Sequence, residues 1–457
     1  MKVGVVTLGC DKNTVDSERY LAELLAHGAE LASAIEDADV VVVNTCGFID
    51  AAKRESIDAI VEAGRLKQSG ACRTLVAIGC MVERHRTELQ DALPEVDILL
   101  GTSDANRLVE ELHTRGLIAS EVLAHPGMRA FAGDPAHVRY LKVSEGCDHG
   151  CAFCAIPLMR GRHRSFTPTD IVSEAQLLEG QGAREINLVA QDLAHFGRDK
   201  RDGVALPELL GLLVRETSLP WIRLLYLYSA GITPRLLQVV ADEPRVLPYL
   251  DMPMQHAADS VLTRMRRPER KRTIREKVAR YRDAVPDVVI RTTCIVGFPG
   301  ETDGDFQELL QFLEEMRFDR VGAFTYSAQE GTRAAELTDD VPESLKRERL
   351  EHLSELQRGI TAERNEERIG RRTHAIVDRV TADSIEARVW WQAHDVDGIT
   401  LLDAAATPGS IVEVAVTGVE EDYDLAASFI GAVDIPPASR QLKALPMFTP
   451  TPGSFGR

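Results

Sequence analysis

A chain of 457 residues is long enough for about three domains, and an apolar fraction of 44% is that of an ordinary folded protein. Its longest apolar run, counting glycine, is Leu75–Val82, far short of the roughly 20 residues of a membrane span. The N-terminus lacks the apolar stretch of a signal peptide, so a cytoplasmic protein with no membrane partner is expected. The net charge of −18, from 53 basic and 71 acidic residues, disfavours non-specific binding to nucleic acid and favours a basic partner.

From residue 2 to about 116, β-rich runs alternate with amphipathic stretches. Strands are expected at Lys2–Leu8, Asp39–Asn44, Thr74–Gly79 and Val96–Leu100, and helices at Thr14–Ala26, Ala51–Leu66, Arg84–Ala92 and Ala105–Thr114. This alternation predicts an α/β domain over 1–118 built on a parallel sheet. The segment 119–136 has Pro126, Gly127, Gly133 and Pro135 without periodicity and reads as a linker. A second series over 137–369 places strands at Val138–Val143, Glu185–Val189, Trp221–Tyr228, Tyr249–Met252, Val288–Val296 and Val321–Tyr326. Such a run of βα units predicts a partial (β/α) barrel, closed by a helix from about Glu343 to Ile369. Beyond Gly370, strands at Thr373–Thr381, Ser384–Trp391 and Ile411–Val416 predict a small antiparallel β-barrel over 370–435. The last segment, 436–457, holds five prolines and no acid and reads as a flexible tail.

Eight cysteines in a reducing compartment read as metal ligands or catalytic groups rather than as a disulfide framework. Cys147, Cys151 and Cys154 share one loop directly after the first barrel strand, at the edge where such folds place their chemistry. Structural zinc takes four ligands, and this loop offers three thiolates. On a [4Fe-4S] cluster three thiolates leave one iron open, and S-adenosylmethionine can chelate such an iron through its amino and carboxylate groups. The competing reading is a zinc loop completed by His149 or His163.

Cys10, Cys46 and Cys80 each follow a strand of the N-terminal sheet, so they share its carboxyl edge, where open α/β sheets bind ligands. Each adjoins a glycine, Gly9, Gly47 or Gly79, that lets the backbone approach a bulky group. Cys72 precedes its strand and Cys294 lies inside one; both read as buried structural side chains. By position at the barrel mouth, Gln191, Asp192, Gln255, His256 and the turn from Gly297 to Glu301 are candidate contacts for S-adenosylmethionine, the bland readings being a plain turn and a histidine bonded to backbone. Glu145 and Arg160 flank the cysteine loop. The run from Arg264 to Arg282, ten Lys or Arg against Glu269 and Glu276, reads either as a solvated helix face or as a nucleic-acid contact.

The cysteine loop, with Phe153 before its last cysteine, resembles the radical S-adenosylmethionine signature. The phrases Gly9-Cys10-Asp11-Lys12-Asn13-Thr14-Val15-Asp16-Ser17-Glu18, Asn44-Thr45-Cys46-Gly47-Phe48-Ile49 and Gly79-Cys80 resemble the methylthiotransferase domain, and the C-terminal barrel is similar to TRAM. Together these cover nearly the whole chain. The resemblance implies a radical SAM methylthiotransferase with two [4Fe-4S] clusters, one on Cys147, Cys151 and Cys154 and one on Cys10, Cys46 and Cys80. It also implies that Phe153 adjoins the cofactor site and that a reduced flavodoxin- or ferredoxin-like electron donor serves the enzyme. The family has two main substrate classes, adenosine bases of tRNA and an aspartate of small-subunit ribosomal protein twelve. The chain resembles the second, RimO-type branch, because Lys12 stands where the tRNA enzymes usually have Met and because Ala190-Gln191-Asp192 matches that branch's phrase. A net charge of −8 over 370–435 agrees with a basic ribosomal protein as partner, free or within the small ribosomal subunit. Ser229-Ala230, where the family often has a proline, and Cys294, where it has a phenylalanine, depart from the pattern without touching a cluster ligand. The non-enzymatic alternative is an iron-sulfur carrier, against which the full barrel argues.

Overall fold

Valine-rich runs that are apolar at every position are buried on both faces, and the N-terminal sheet is built from them. In the computed structural model, which describes residues 1–433 apart from 69, 71, 123–128, 131–134, 202, 405 and 422, this sheet comprises β1 (Lys2–Thr7), β2 (Glu30–Leu31), β3 (Val40–Thr45), β4 (Thr74–Gly79) and β5 (Ile98–Leu100). All pairings are parallel, in the order β2-β1-β3-β4-β5. Helices α1 (Asp11–Ala26), α2 (Asp50–Gln68), α3 (Cys80–Ala92) and α4 (Leu108–Thr114) cover it. With only two residues, β2 leaves no periodic trace in the sequence, yet it places the reversal of strand order beside β1. The carboxyl ends of β1 and β3 therefore flank the switch point, where open sheets leave a crevice. Part of the linker and the whole tail from 436 lie outside the described residues.

The central region repeats the logic with six parallel strands in sequential order. These are β6 (Val138–Lys142), then β9 (Glu185–Val189), β10 (Trp221–Leu224), β11 (Val246–Asp251), β12 (Val289–Val296) and β13 (Arg320–Thr325). Between β6 and β9, a short antiparallel pair, β7 (Ser144–Glu145) with β8 (Arg164–Ser165), staples the two ends of the cysteine loop. The helices are α5 (Ile156–Arg160), α6 (Pro168–Gly180), α7 (Leu206–Glu216), α8 (Pro234–Asp242), α9 (Asp259–Arg264), α10 (Lys271–Ala284) and α11 (Asp303–Met316). The sheet stays open, a partial barrel, and α12 (Glu343–Glu366) packs along its outer strand β13.

The C-terminal strands β14 (Arg372–Val380), β15 (Ile385–Val389), β16 (Thr400–Leu402), β17 (Ile411–Glu420) and β18 (Asp424–Ala432) close into a barrel. One expectation needs correcting here: β16 pairs with β18 in parallel. A ring with an odd number of strands cannot alternate direction all the way round, so closing five strands forces one parallel pair. This barrel shares a core with the central sheet, joining Trp221, Leu247, Tyr249 and Val289 to Val377, Val389 and Trp391.

Buried ions tie the three parts together. Arg129, inside the segment read as a linker, is 2% exposed. It is held by Glu18 of α1 and Glu174 of α6, and Arg139 of β6 also donates to Glu18 at 3.0 Å. At the C-terminal junction, the fully buried Glu185 of β9 accepts from Arg223 and from Arg388 of β15, both at 2.7 Å. Burial raises the Glu185 carboxyl, but Arg388 and Arg223 outweigh it and hold it at about 2. Because this value lies below the ordinary range near 4.3, the stabilisation is complete above that range and is lost as pH falls toward 2. Two results are expected: acid should loosen the C-terminal barrel from about pH 4.5 downward, read by limited proteolysis, and Glu185→Gln should destabilise the junction by about 3–5 kcal/mol at neutral pH, read by urea denaturation.

Candidate functional site

The three N-terminal cysteines meet at the switch point. Cys10 caps the start of α1, Cys46 follows β3, and Cys80 is the first residue of α3, a helix that begins earlier than the pattern from Arg84 suggests. Their loops are cross-tied by side chains of the same phrases that carry the cysteines. Asn13 Nδ2 donates to Leu8 O at 2.7 Å and Thr45 O at 3.2 Å, and Asn44 Nδ2 donates to Asn13 O and to Ser17 Oγ, each at 2.9 Å. Thr45 Oγ1 donates to Ile78 O, and Ser56 Oγ braces the Cys46 backbone on both sides. The glycines keep the centre open. A Cβ on Gly9 would stand 2.6 Å from Cys46 Cβ and 2.8 Å from its Sγ, and one on Gly79, at φ +109°, would stand 2.5 Å from Asn44 Oδ1.

The second triplet lies on the loop after β6. Backbone bonds from Cys147 N to Gly161 O, from Ala152 N to Met265 O and from Ala334 N to Ala152 O pin this loop against α9 and the segment after β13. Phe153 packs with Ile295 on a cluster that includes Phe298 and Tyr326. Arg267 reaches Cys151 Sγ at 3.8 Å and lies over the Tyr228 ring, so one member of the basic run belongs to the site. Most of the others are engaged within the chain: Arg264 with Pro299 O and Gly300 O, Lys271 with Glu308, Arg272 with Glu276, Arg275 with Glu315, and Arg282 with Met316 O.

Neither histidine of the zinc reading turns to the thiols. His149 meets Asp192 at 2.7 Å and stacks on Tyr228, while His163 meets Ser165 Oγ. Gln191 donates to Glu145 at 2.7 Å, and Asp192 also accepts from Tyr228 N. Gln255, at φ +75°, bridges to Cys294 through its backbone. His256 is fully buried, its Nδ1 accepting from Ala258 N, and Glu301 is occupied by Gly297 N, Phe298 N and Arg349. Glu301 thus holds the Gly297–Glu301 turn in shape, and His256 braces its own loop. Cys72 bonds Thr74 O at the opposite sheet edge, and Cys294 lies in the central core.

What joins the two triplets is α5, the short helix just after Cys154. Its Ala155, Ile156 and Met159 pack on Cys80. Its Arg160 donates from Nε to Cys80 Sγ at 3.1 Å, from Nη1 to Asp16 at 2.6 Å and from Nη2 to Asn13 Oδ1. Lys142 sits between Asp16 and Glu145. Burial raises Asp16, and Lys142 and Arg160 more than reverse this, holding it at about 2. Lys142 carries no sequence signal, since a lone Lys is most often a surface residue, while Asn13 and Arg267 lie in the Cys10 phrase and in the basic run, neither of which singles them out.

Family models match three parts of the chain: uncharacterized protein family UPF0004 over residues 2–101, the Radical SAM superfamily over 141–313 and the TRAM domain over 369–430. A ribosomal protein uS12 methylthiotransferase RimO from Anaeromyxobacter sp. (strain K) is 43% identical, covering 98% of this chain and 97% of the relative. The chain belongs to the RimO family. Another member, from Geobacter sulfurreducens, is 42% identical over 94% of this chain and 98% of its own length. Among solved structures, the radical S-adenosylmethionine methyltransferase TsrM from Kitasatospora setae superposes with a TM-score of 0.52 at 14% identity, covering 70% of this chain and 72% of that one, a likeness of fold. The family works with S-adenosylmethionine and [4Fe-4S] clusters, and both triplets suit iron. Burial pushes the thiols of Cys46 and Cys147 up to about 11 and those of Cys80 and Cys154 up to about 12, so the buried thiolates need a cation such as iron to hold them. Gly9 and Gly79 leave the space that a side chain would fill.

Gly79→Ala should therefore displace Cys80 and lower iron from about eight to about four per chain. Gly116→Ala, at φ +70° with nothing within 4 Å of the added carbon, carries backbone strain alone and should keep all of it. Iron analysis after anaerobic reconstitution distinguishes the two.

Proposed function

We propose that the chain adds a methylthio group to the β-carbon of an aspartate in ribosomal protein uS12. The observation that carries this reading is the meeting of two cysteine triplets across α5, whose Arg160, just past the second triplet, reaches Cys80 of the first. In this reading Cys147, Cys151 and Cys154 hold one [4Fe-4S] cluster and Cys10, Cys46 and Cys80 hold a second. When bound, these groups and S-adenosylmethionine supply a carbon-centred radical able to take hydrogen from an unactivated carbon, and a site for the sulfur to be methylated and transferred.

The protein's own part is placement and exclusion of water. Arg160, fixed by Asp16 and Asn13, keeps an N–H aimed at Cys80 Sγ and sets the spacing of the two triplets. Gln191, oriented by Glu145, and Asp192, oriented by His149 and Tyr228 N, stand at the barrel mouth as S-adenosylmethionine contacts. Phe153, Gln255 and the backbone of Gly297 complete that assignment, with Glu301 acting through the turn it holds and His256 through its own loop at Ala258. Among the described residues, Asp383, Asp395, Asp403, Glu420 and Glu421 are the exposed acids of the C-terminal barrel that would face a basic protein in the cytoplasm. Asp378 and Asp397 belong instead to the junction with the central sheet. A reduced flavodoxin- or ferredoxin-like protein is the electron donor in this scheme.

The test is anaerobic reconstitution of wild type and of a Cys10→Ala/Cys46→Ala/Cys80→Ala variant. About eight irons should fall to about four, with 5'-deoxyadenosine formation retained and methylthio transfer to uS12 abolished, as read by mass spectrometry. About four irons in both proteins would remove the reading.

A further inference from the structure

One cation between the two triplets has no part in the scheme above. Lys12, the second residue of α1, is 6% exposed, and its Nζ stands 2.9 Å from the centre of the Tyr226 ring. Among the described residues it makes no hydrogen bond or ion pair. The nearby groups that feel its charge are Cys10, whose thiolate is spent on iron in the proposed reading, and the acids Asp11 and Asp251, which are both engaged elsewhere. Asp11 accepts from Tyr226 Oη at 2.9 Å, while Asp251 accepts from Tyr226 N at 3.0 Å and pairs with Arg291 at 3.2 Å. Tyr226 itself sits at φ +61°, a region that bulky residues avoid, and is kept there by Asp251 and by Leu193 N, which donates to its carbonyl. Backbone strain thus presents an aromatic face to Lys12 while both neighbouring carboxylates are bonded to other groups. A ring face satisfies an ammonium far less well than a carboxylate does, and a buried, unpaired charge is destabilising unless a ligand completes it. The start of α1 adds positive potential at the same place.

We propose that Lys12 is the subsite for the side-chain carboxylate of the substrate aspartate and so selects an acidic residue over its amide. This rests on the proposed reaction at an aspartate β-carbon, which lies one bond from that carboxylate. With the carboxylate on Lys12, the reacting carbon is held beside Cys10, between the N-terminal triplet and the barrel mouth. An uncharged substrate would leave the ammonium unpaired.

The experiment uses reconstituted full-length protein and fluorescent peptides of the uS12 target segment carrying either Asp or Asn at the modified position. Wild type should bind the Asp peptide at least about tenfold more tightly than the Asn peptide. Lys12→Met should bind both alike, through weaker binding of the Asp peptide, with iron content and helical signal at the wild-type level. Lys12→Arg, which keeps the charge, should retain a preference for Asp. An undiminished Asp preference in Lys12→Met overturns the proposal, as does equal binding of the two peptides by wild type, a comparison that stands even if Lys12→Met fails to fold. Wild type that neither binds nor modifies the Asp substrate removes the reaction reading itself. Modification by wild type together with an unchanged peptide preference in Lys12→Met removes only the role of Lys12.

Discussion

Two parallel sheets in different parts of the chain must point their carboxyl edges at one another, and a single guanidinium sets how closely they do so. Arg160 lies six residues after Cys154, yet its donors end on Cys80, Asp16 and Asn13, more than 60 residues upstream. Because five N–H groups leave a planar fork in fixed directions, these partners define the position of α5 relative to the N-terminal sheet. Since α5 follows the central cysteine loop directly, the spacing of the two triplets follows from the same contacts. Lys142 on Asp16 and Tyr226 on Asp11 support the same junction, while the Asn13 and Asn44 cross-ties and the stapling of the loop by β7 and β8 each hold one triplet in shape.

Such an arrangement needs domains that do not drift, and the junctions are made from buried charge as well as apolar packing. Glu18, Arg129 and Glu174 lock α1 to α6, and Glu185 between Arg223 and Arg388 locks the central sheet to the C-terminal barrel. Charges buried this way are weak contributors to net stability but strict about geometry, because any shift leaves one of them unpaired. That strictness suits a site where two bulky groups must sit at a set separation. It also explains why Arg129, in a stretch without periodicity, is among the most buried basic residues of the chain.

Local pattern carried most of the architecture. The strands of both sheets appear where apolar runs of strand length alternate with helical periodicity, because burial on two faces demands apolar residues at every position of a central parallel strand. The cysteine triplets were equally legible. One is a tight local spacing, and the other consists of three residues each placed just past a strand, a position that βαβ topology turns into a shared edge. What local pattern cannot carry is an element too short to have a period, such as β2 and β16, or the direction of a pairing that only barrel closure imposes.

The polar residues around the triplets divide along the same line. The sequence by itself determined the order of βα units, the edge on which each cysteine lies and the excess of acid in the last domain, since each depends on neighbours within a few tens of residues. Only the tertiary structure decided that Arg160 touches Cys80, that most of the basic run from Arg264 to Arg282 is paired within the chain, that Glu301 is tied to Arg349 as it supports a turn, and that Lys12 is left facing an aromatic ring. The reason is physical: the state and use of a charged side chain depend on which opposite charges lie within a few ångströms. For residues more than a hundred positions apart, that is set by how the domains pack.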